Sequence, residues 1–164
     1  EIMPSLVGSE MCIRDSLDGI NAKKGSIYQD NKYLKIQNSK FDNLSFKSDA
    51  GGVKIKNSDI FNSEFKTGVG NVEVNNSKLK KSLFVSELGY LNFTNMNSET
   101  DVKGSSKLDY IHLDYKDEPK NTLLKLHPGT GEAKVENKAF NKGKVGNSNN
   151  VIEFYTVKED ITIK

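Results

Sequence analysis

Between positions 34 and 98 apolar and polar residues alternate in short bursts, and the bursts return with a 19-residue period. The first burst places Leu34, Val53, Val72 and Leu91 in one column. Two residues on come Ile36, Ile55, Val74 and Phe93, and two further on Asn38, Asn57, Asn76 and Asn95. A second burst carries Phe46, Phe65 and Phe84, each followed two residues later by Ser48, Thr67 or Ser86. Gly51, Gly70 and Gly89 punctuate the copies. Alternation with a period of two is the pattern of a strand with one buried face, and Val, Ile and Phe suit a pleated surface. The intervening Asn-Ser, Asp and Gly segments are turn chemistry.

Two short strands per repeat fit either a meander of hairpins or a solenoid with one coil per repeat. Phe41, Ile60 and Leu79 decide between them. In a meander they would sit in an exposed hairpin loop, whereas in a solenoid a corner position turns inward and stacks on its equivalents. The asparagine column agrees. Identical side chains one coil apart lie about 4.8 Å from each other, so stacked amides can bond along the axis as an interior ladder. The pattern therefore predicts an all-β fold, a single-stranded parallel β-helix (β-solenoid) with 19-residue coils. Ile27 falls one full period before Phe46, which places Ser26–Gln29 in an earlier coil. Beyond residue 98 the register loosens. Leu108, Ile111 and Leu113 still read as strand, and about 122–164 reads as an irregular C-terminal β cap closed by Val151–Val157 and Ile161–Ile163.

Composition changes this picture at the N-terminus. Residues 6–16, Leu-Val-Gly-Ser-Glu-Met-Cys-Ile-Arg-Asp-Ser, match the in-frame translation of a transposase adapter used in sequencing libraries. Arg14 is the sole arginine beside 23 lysines, and Cys12 is the sole cysteine. Residues 1–16 are thus expected to be a non-native leader, and 17–164 a single domain with its repeats at 34–98. Without Cys12 there is no disulfide, thiol or cysteine–metal chemistry. Within 17–164, 23 Lys face 19 Asp and Glu, a mildly basic balance that permits a polyanionic partner. No apolar run is long enough to span a membrane as a helix. Eighteen asparagines and a low hydropathy would by themselves read as disorder, but the repeat overrides that reading.

Chemistry is sparse. His112 and His127 fall on different elements, without metal-ligand spacing. Asp114, Asp117 and Glu118 cluster before Pro119, with nothing to set two of them across a sugar. No Gly-x-Ser-x-Gly elbow occurs, and neither Gly129-Thr130-Gly131 nor Gly143-Lys144-Val145-Gly146 has phosphate-loop spacing. No cofactor is expected. One feature points to binding: Lys35 and Lys54 stack one coil apart, as do Lys47 and Lys66, and both pairs should face outward. Such lysines suit an anionic envelope polymer such as a teichoic acid, or simply keep a β surface soluble. Without arginine or interleaved aromatics, sequence-specific nucleic-acid binding is not expected.

The Leu-x-Ile-x-Asn and Phe-x-Ser-x-x-Gly repeats resemble a bacterial adhesin-type family of β-strand-repeat domains. So does the ending Val145-Gly146-Asn147-Ser148-Asn149-Asn150-Val151 with Thr156-Val157-Lys158-Glu159-Asp160-Ile161-Thr162-Ile163. The resemblance spans roughly 25–164, and Glu159 stands where the family usually has glycine. It implies a non-enzymatic structural or binding module at the bacterial surface or envelope, partnered by an envelope polymer or another envelope protein. Two alternatives accompany it: a regulatory domain of an envelope-stress response acting by protein–protein contact, and a carbohydrate-active β-helix enzyme.

Overall fold

The computed structural model describes residues 5–7 and 14–164, with side-chain surroundings from residue 16 onward. The described residues contain no helix and form three sheets of nine, eight and four strands. Neighbours in these sheets run parallel, save one antiparallel pair at the C-terminal end. The chain winds as a β-solenoid, as the repeat predicts.

One coil illustrates the rule. Tyr33–Gln37 runs on the eight-stranded face, Lys40–Asp42 on the four-stranded face and Leu44–Ala50 on the nine-stranded face. The next coil repeats this with Val53–Lys56, Asp59–Phe61 and Glu64–Val69, and the third with Val72–Asn75, Lys78–Lys80 and Ser82–Leu88. The pairing keeps the period of the sequence throughout: Leu34 pairs with Val53, Phe41 with Ile60 and Phe46 with Phe65. The coil therefore has three strands, not two. The column Phe41, Ile60, Leu79 lies at the centre of the third, three-residue strand and is fully buried. Lys24–Gln29 pairs with Leu44–Ala50, which places Ile27 beside Phe46 as expected.

Three corner columns turn the chain. Asn38, Asn57, Asn76 and Asn95 adopt φ of 51, 51, 45 and 52°. Asparagine tolerates this left-handed region better than other residues with a β-carbon. The interior ladder expected of this column is not what forms, because all four asparagines sit on the exposed outside of the corner. Asn76 Nδ2 donates to Asn57 Oδ1 at 2.8 Å, but Asn38 Nδ2 donates to Asp18 instead. The buried ladder is the serine one residue on. Ser39 N–H donates to Ser58 Oγ and Ser58 N–H to Ser77 Oγ, each at 3.1 Å, while Ser58 Oγ donates to Lys56 C=O. The second corner repeats the device with left-handed Asn43 and Asn62, where Leu44 N–H donates to Ser63 Oγ. At the third corner Gly51, Gly70 and Gly89 stack so closely that a Cβ on Gly51 would lie 1.8 Å from Lys32 O.

The core is a narrow tube between the faces. Phe46, Phe65 and Phe84 stack along the nine-stranded face, with Phe65 and Phe84 4.9 Å apart and their ring planes nearly parallel. The next rung offers Gly104, and the space there is filled by Phe154, packed 5.6 Å from Phe93. Fully burying each such ring contributes roughly 1.5–3 kcal/mol.

Past residue 96 the winding departs from the repeat. Val102–Ser106 and Ile111–Tyr115 stack on the previous coil with a 20-residue step. The chain then skips a level. Thr122–His127 and Ala133–Val135 form the outermost rung, and the closing strands Asn150–Thr156 and Ile161–Ile163 slide beneath it, onto Val102–Ser106 and Ile111–Tyr115. The expectation that these last strands close the stack is thus corrected: residues 122–145 close it, with Lys144–Val145 antiparallel to Thr122–Leu123 at the end of the nine-stranded face. The reading of 1–16 as a non-native leader falls mostly outside the described residues. Of that segment, Ser5–Val7 pairs with Lys24–Ser26, and Arg14–Asp18 pairs with Tyr33–Gln37 in the register of the repeat.

Candidate functional site

Alternation turns every second residue of each strand outward, so the coils display columns of polar side chains on flat faces. Lys35 and Lys54 stand in register on the eight-stranded face, and Lys47 and Lys66 on the nine-stranded face. All four are exposed, but the two pairs occupy different faces and do not converge. Acids also answer them. Lys54 Nζ lies 3.3 Å from Glu73 and Lys66 Nζ 2.5 Å from Glu64. Hydrogen bonds from Gln37 and Asn38 hold the Asp18 carboxyl below its usual range, with Lys35 adding to the effect.

A denser basic site lies higher on the nine-stranded face, where the four-stranded face has ended. Lys81, Lys103 and Lys125 line a shallow groove with Asp101, Val151 and Glu153. Stacking builds it: Leu83, Lys103, Glu153 and Lys125 are successive outward positions of four rungs. Lys81 enters from the corner with φ 48°, where the two earlier coils place Asn43 and Asn62. A long side chain at this position costs about 1–2 kcal/mol relative to ordinary backbone. Strain retained at a site is a pointer to function.

The two carboxyls of the groove are tuned apart. Burial raises Asp101, against the pull of a bond from Val151 N–H and the charges of Lys80, Lys81 and Lys103. A hydrogen bond from Tyr155 O–H, at 2.7 Å, lowers Glu153, and Lys103 assists from 3.2 Å. Lys80 Nζ is held by Asn150 Oδ1 at 2.6 Å, which ties the earlier repeat to the threaded strand.

The histidines stay apart. His112 is on the eight-stranded face, its imidazole shifted down by burial and then by Lys164. His127 stacks on Tyr155 at 4.4 Å on the nine-stranded face. Asp114 faces outward and half-buried, while Asp117 and Glu118 lie exposed in the following turn. Among the described residues no three His, Cys, Asp or Glu side chains group as metal ligands would.

Sequence reasoning missed two surfaces besides the groove. Tyr90 and Tyr110 stack 5.1 Å apart, and Tyr90 O–H donates to Glu73 at 2.7 Å. Beside them, Val69, Leu88, Leu108 and Val157 are each half-exposed at the glycine corner. They recur at one corner of successive rungs, a signal visible only once the coil positions are known.

The family model described as Toastrack DUF4097 matches residues 8–164. No curated protein and no solved structure matches the chain.

Proposed function

We propose, from the premise that this chain belongs to the Toastrack DUF4097 family of domains of unknown function, that it is a non-enzymatic binding module of the bacterial envelope. On this reading it works at the cell surface, in an adhesin-type role, and its rigid coil presents lysines to an anionic envelope polymer. The groove of Lys81, Lys103 and Lys125 carries the proposal. These ammonium groups come from three separate rungs, and Lys81 reaches the groove from a backbone position that disfavours it. Lys35 with Lys54 and Lys47 with Lys66 extend the basic surface down two faces. Attraction of this kind steers long polyanions and weakens with salt.

Sedimentation of the chain with Gram-positive envelopes across a salt series tests it. Binding should fall steeply as salt rises, and the triple change Lys81→Ala, Lys103→Ala, Lys125→Ala should abolish most of it. Retention unaffected by salt and by the triple change defeats the reading. Within 14–164 no helix is long and apolar enough to cross a membrane.

Two specific observations favour other roles. The exposed ridge of Val69, Leu88, Leu108 and Val157 suits a protein partner, as a regulator of envelope stress would need. The opposed shifts of Asp101 and Glu153 suit an acid and a base on a charged polysaccharide, as a carbohydrate-active β-helix would need. Release of reducing ends from such a polymer, abolished by Asp101→Asn, would replace the binding role with the enzymatic one.

A further inference from the structure

The outermost rung leaves one sheet unfinished. Lys144–Val145 covers the end of the nine-stranded face. On the eight-stranded face Ala133–Val135 pairs with Ile161–Ile163 along one edge, and among the described residues no strand pairs with its other edge. The backbone directions follow from two bonds. Glu132 C=O accepts from Ile161 N–H at 2.9 Å, and Glu136 N–H donates to Ile163 C=O at 2.8 Å. Even-numbered residues therefore face the neighbouring strand, and the N–H and C=O groups of Ala133 and Val135 face the free edge. The side chains of those two residues continue the buried column of Ile161 and Ile163, yet Val135 is 41% exposed. An edge with open backbone groups and an uncovered apolar column is a template for another strand.

We propose that this edge pairs with the same edge of a second copy of the chain, antiparallel about a two-fold axis at Val135. The residues themselves select that occupant. The exposed outward positions Glu132, Lys134 and Glu136 alternate in charge, and at this end of the sheet Lys134 also pairs with Asp160 and Glu136 with Lys164 of the same chain. Run antiparallel about Val135, Lys134 faces Glu136 of the copy and Glu136 faces its Lys134, so opposite charges meet on both sides of the axis. Facing charges of opposite sign stabilise a strand pair and like charges destabilise it. Val135 meets its own equivalent on the apolar side, and its N–H and C=O supply the central pair of hydrogen bonds. The two eight-stranded faces become one sheet, and two coils join end to end. This is an isologous contact, closed after two copies.

Sedimentation equilibrium of the 164-residue chain tests the proposal. The expected mass is twice that of the chain, falling to the single-chain mass in Val135→Pro. Proline removes the N–H that faces the free edge and leaves the bonds to Ile161–Ile163 in place. A second pair of variants tests pairing without touching the backbone. Glu136→Lys and Lys134→Glu should each sediment as single chains and form a mixed dimer when combined. A wild-type chain that stays single at every concentration overturns the proposal. So does a dimer that survives Val135→Pro, or charge-reversed forms that fail to combine.

Discussion

At the first two corners of a coil the chain turns on a residue held at positive φ, and the buried serine hydroxyl beside it supplies a bond that joins one coil to the next. Asn57 and Ser58 divide this work. Asn57 is exposed at φ 51° and holds the conformation, while Ser58 is buried and takes the Ser39 N–H. Replacing Asn57 by leucine should cost about 1–2 kcal/mol, because leucine resists the left-handed region. Asn57→Gly should cost little, and Lys54→Ala should stay within about 0.5 kcal/mol as an exposed change. Ser58→Ala should cost about 1–3 kcal/mol, because it strands a buried N–H. Urea melts of the four variants check the order. Were Asn57→Gly as damaging as Asn57→Leu, the amide and not the backbone would be what matters there. The asparagine column is conspicuous in the sequence because four identical residues recur at one fixed spacing. Its cause is hidden, since a left-handed corner and an interior ladder select the same residue.

Among elements, the strands are legible to the degree that their buried positions differ from their flanks. Leu34, Ile36 and Phe46 alternate cleanly with polar neighbours, so both longer strands of a coil emerge from the pattern. The third strand has one buried position, Phe41, between two polar ones, and a single apolar residue has no period. It reads as a corner until register shows Ile60 and Leu79 beneath it. The groove of Lys81, Lys103 and Lys125 was not legible, because its lysines come from rungs whose order in space differs from their order in sequence. The bond between adjacent rungs of the eight-stranded face is testable by pH. Tyr90 O–H donates to Glu73, and this holds the phenol up to about 12, with burial and the Glu73 charge adding. A raised value in the folded state means the bond contributes fully below pH 10, the ordinary phenol range, and is lost as pH rises through about 12. Tyr28, held up to about 12 by Asp30 and Asp49, ionises in the same range. A phenolate absorbance titration should therefore show a late step near 12, diminished in Tyr90→Phe. Tyrosines that all ionise in the ordinary phenol range would rule the bond out.

For the whole molecule, the decisive feature is the order of the last rungs. In a simple solenoid each coil rests on the one before it in sequence, and a terminal deletion frays the end locally. Here Asn150–Thr156 and Ile161–Ile163 lie inside the stack, between 102–115 and 122–135. Phe154 fills the space opposite Gly104, and Ile152, Ile161 and Ile163 are fully buried. The C-terminal residues therefore support the outermost rung, whose Leu124 and Leu126 pack on the core and pair with Ile152 and Phe154. Nothing in the alternation of 151–163 distinguishes an inner rung from a last one, which is why the sequence suggests a cap in chain order. Ending the chain after residue 149 should accordingly remove protection from amide exchange over 122–145 as well as over 102–115. Repeats 34–96, held by their own register, should keep theirs. If 122–145 stays protected in the shortened chain, that segment rests directly on the coil of 102–115, and the threaded order is not what stabilises the end of the stack.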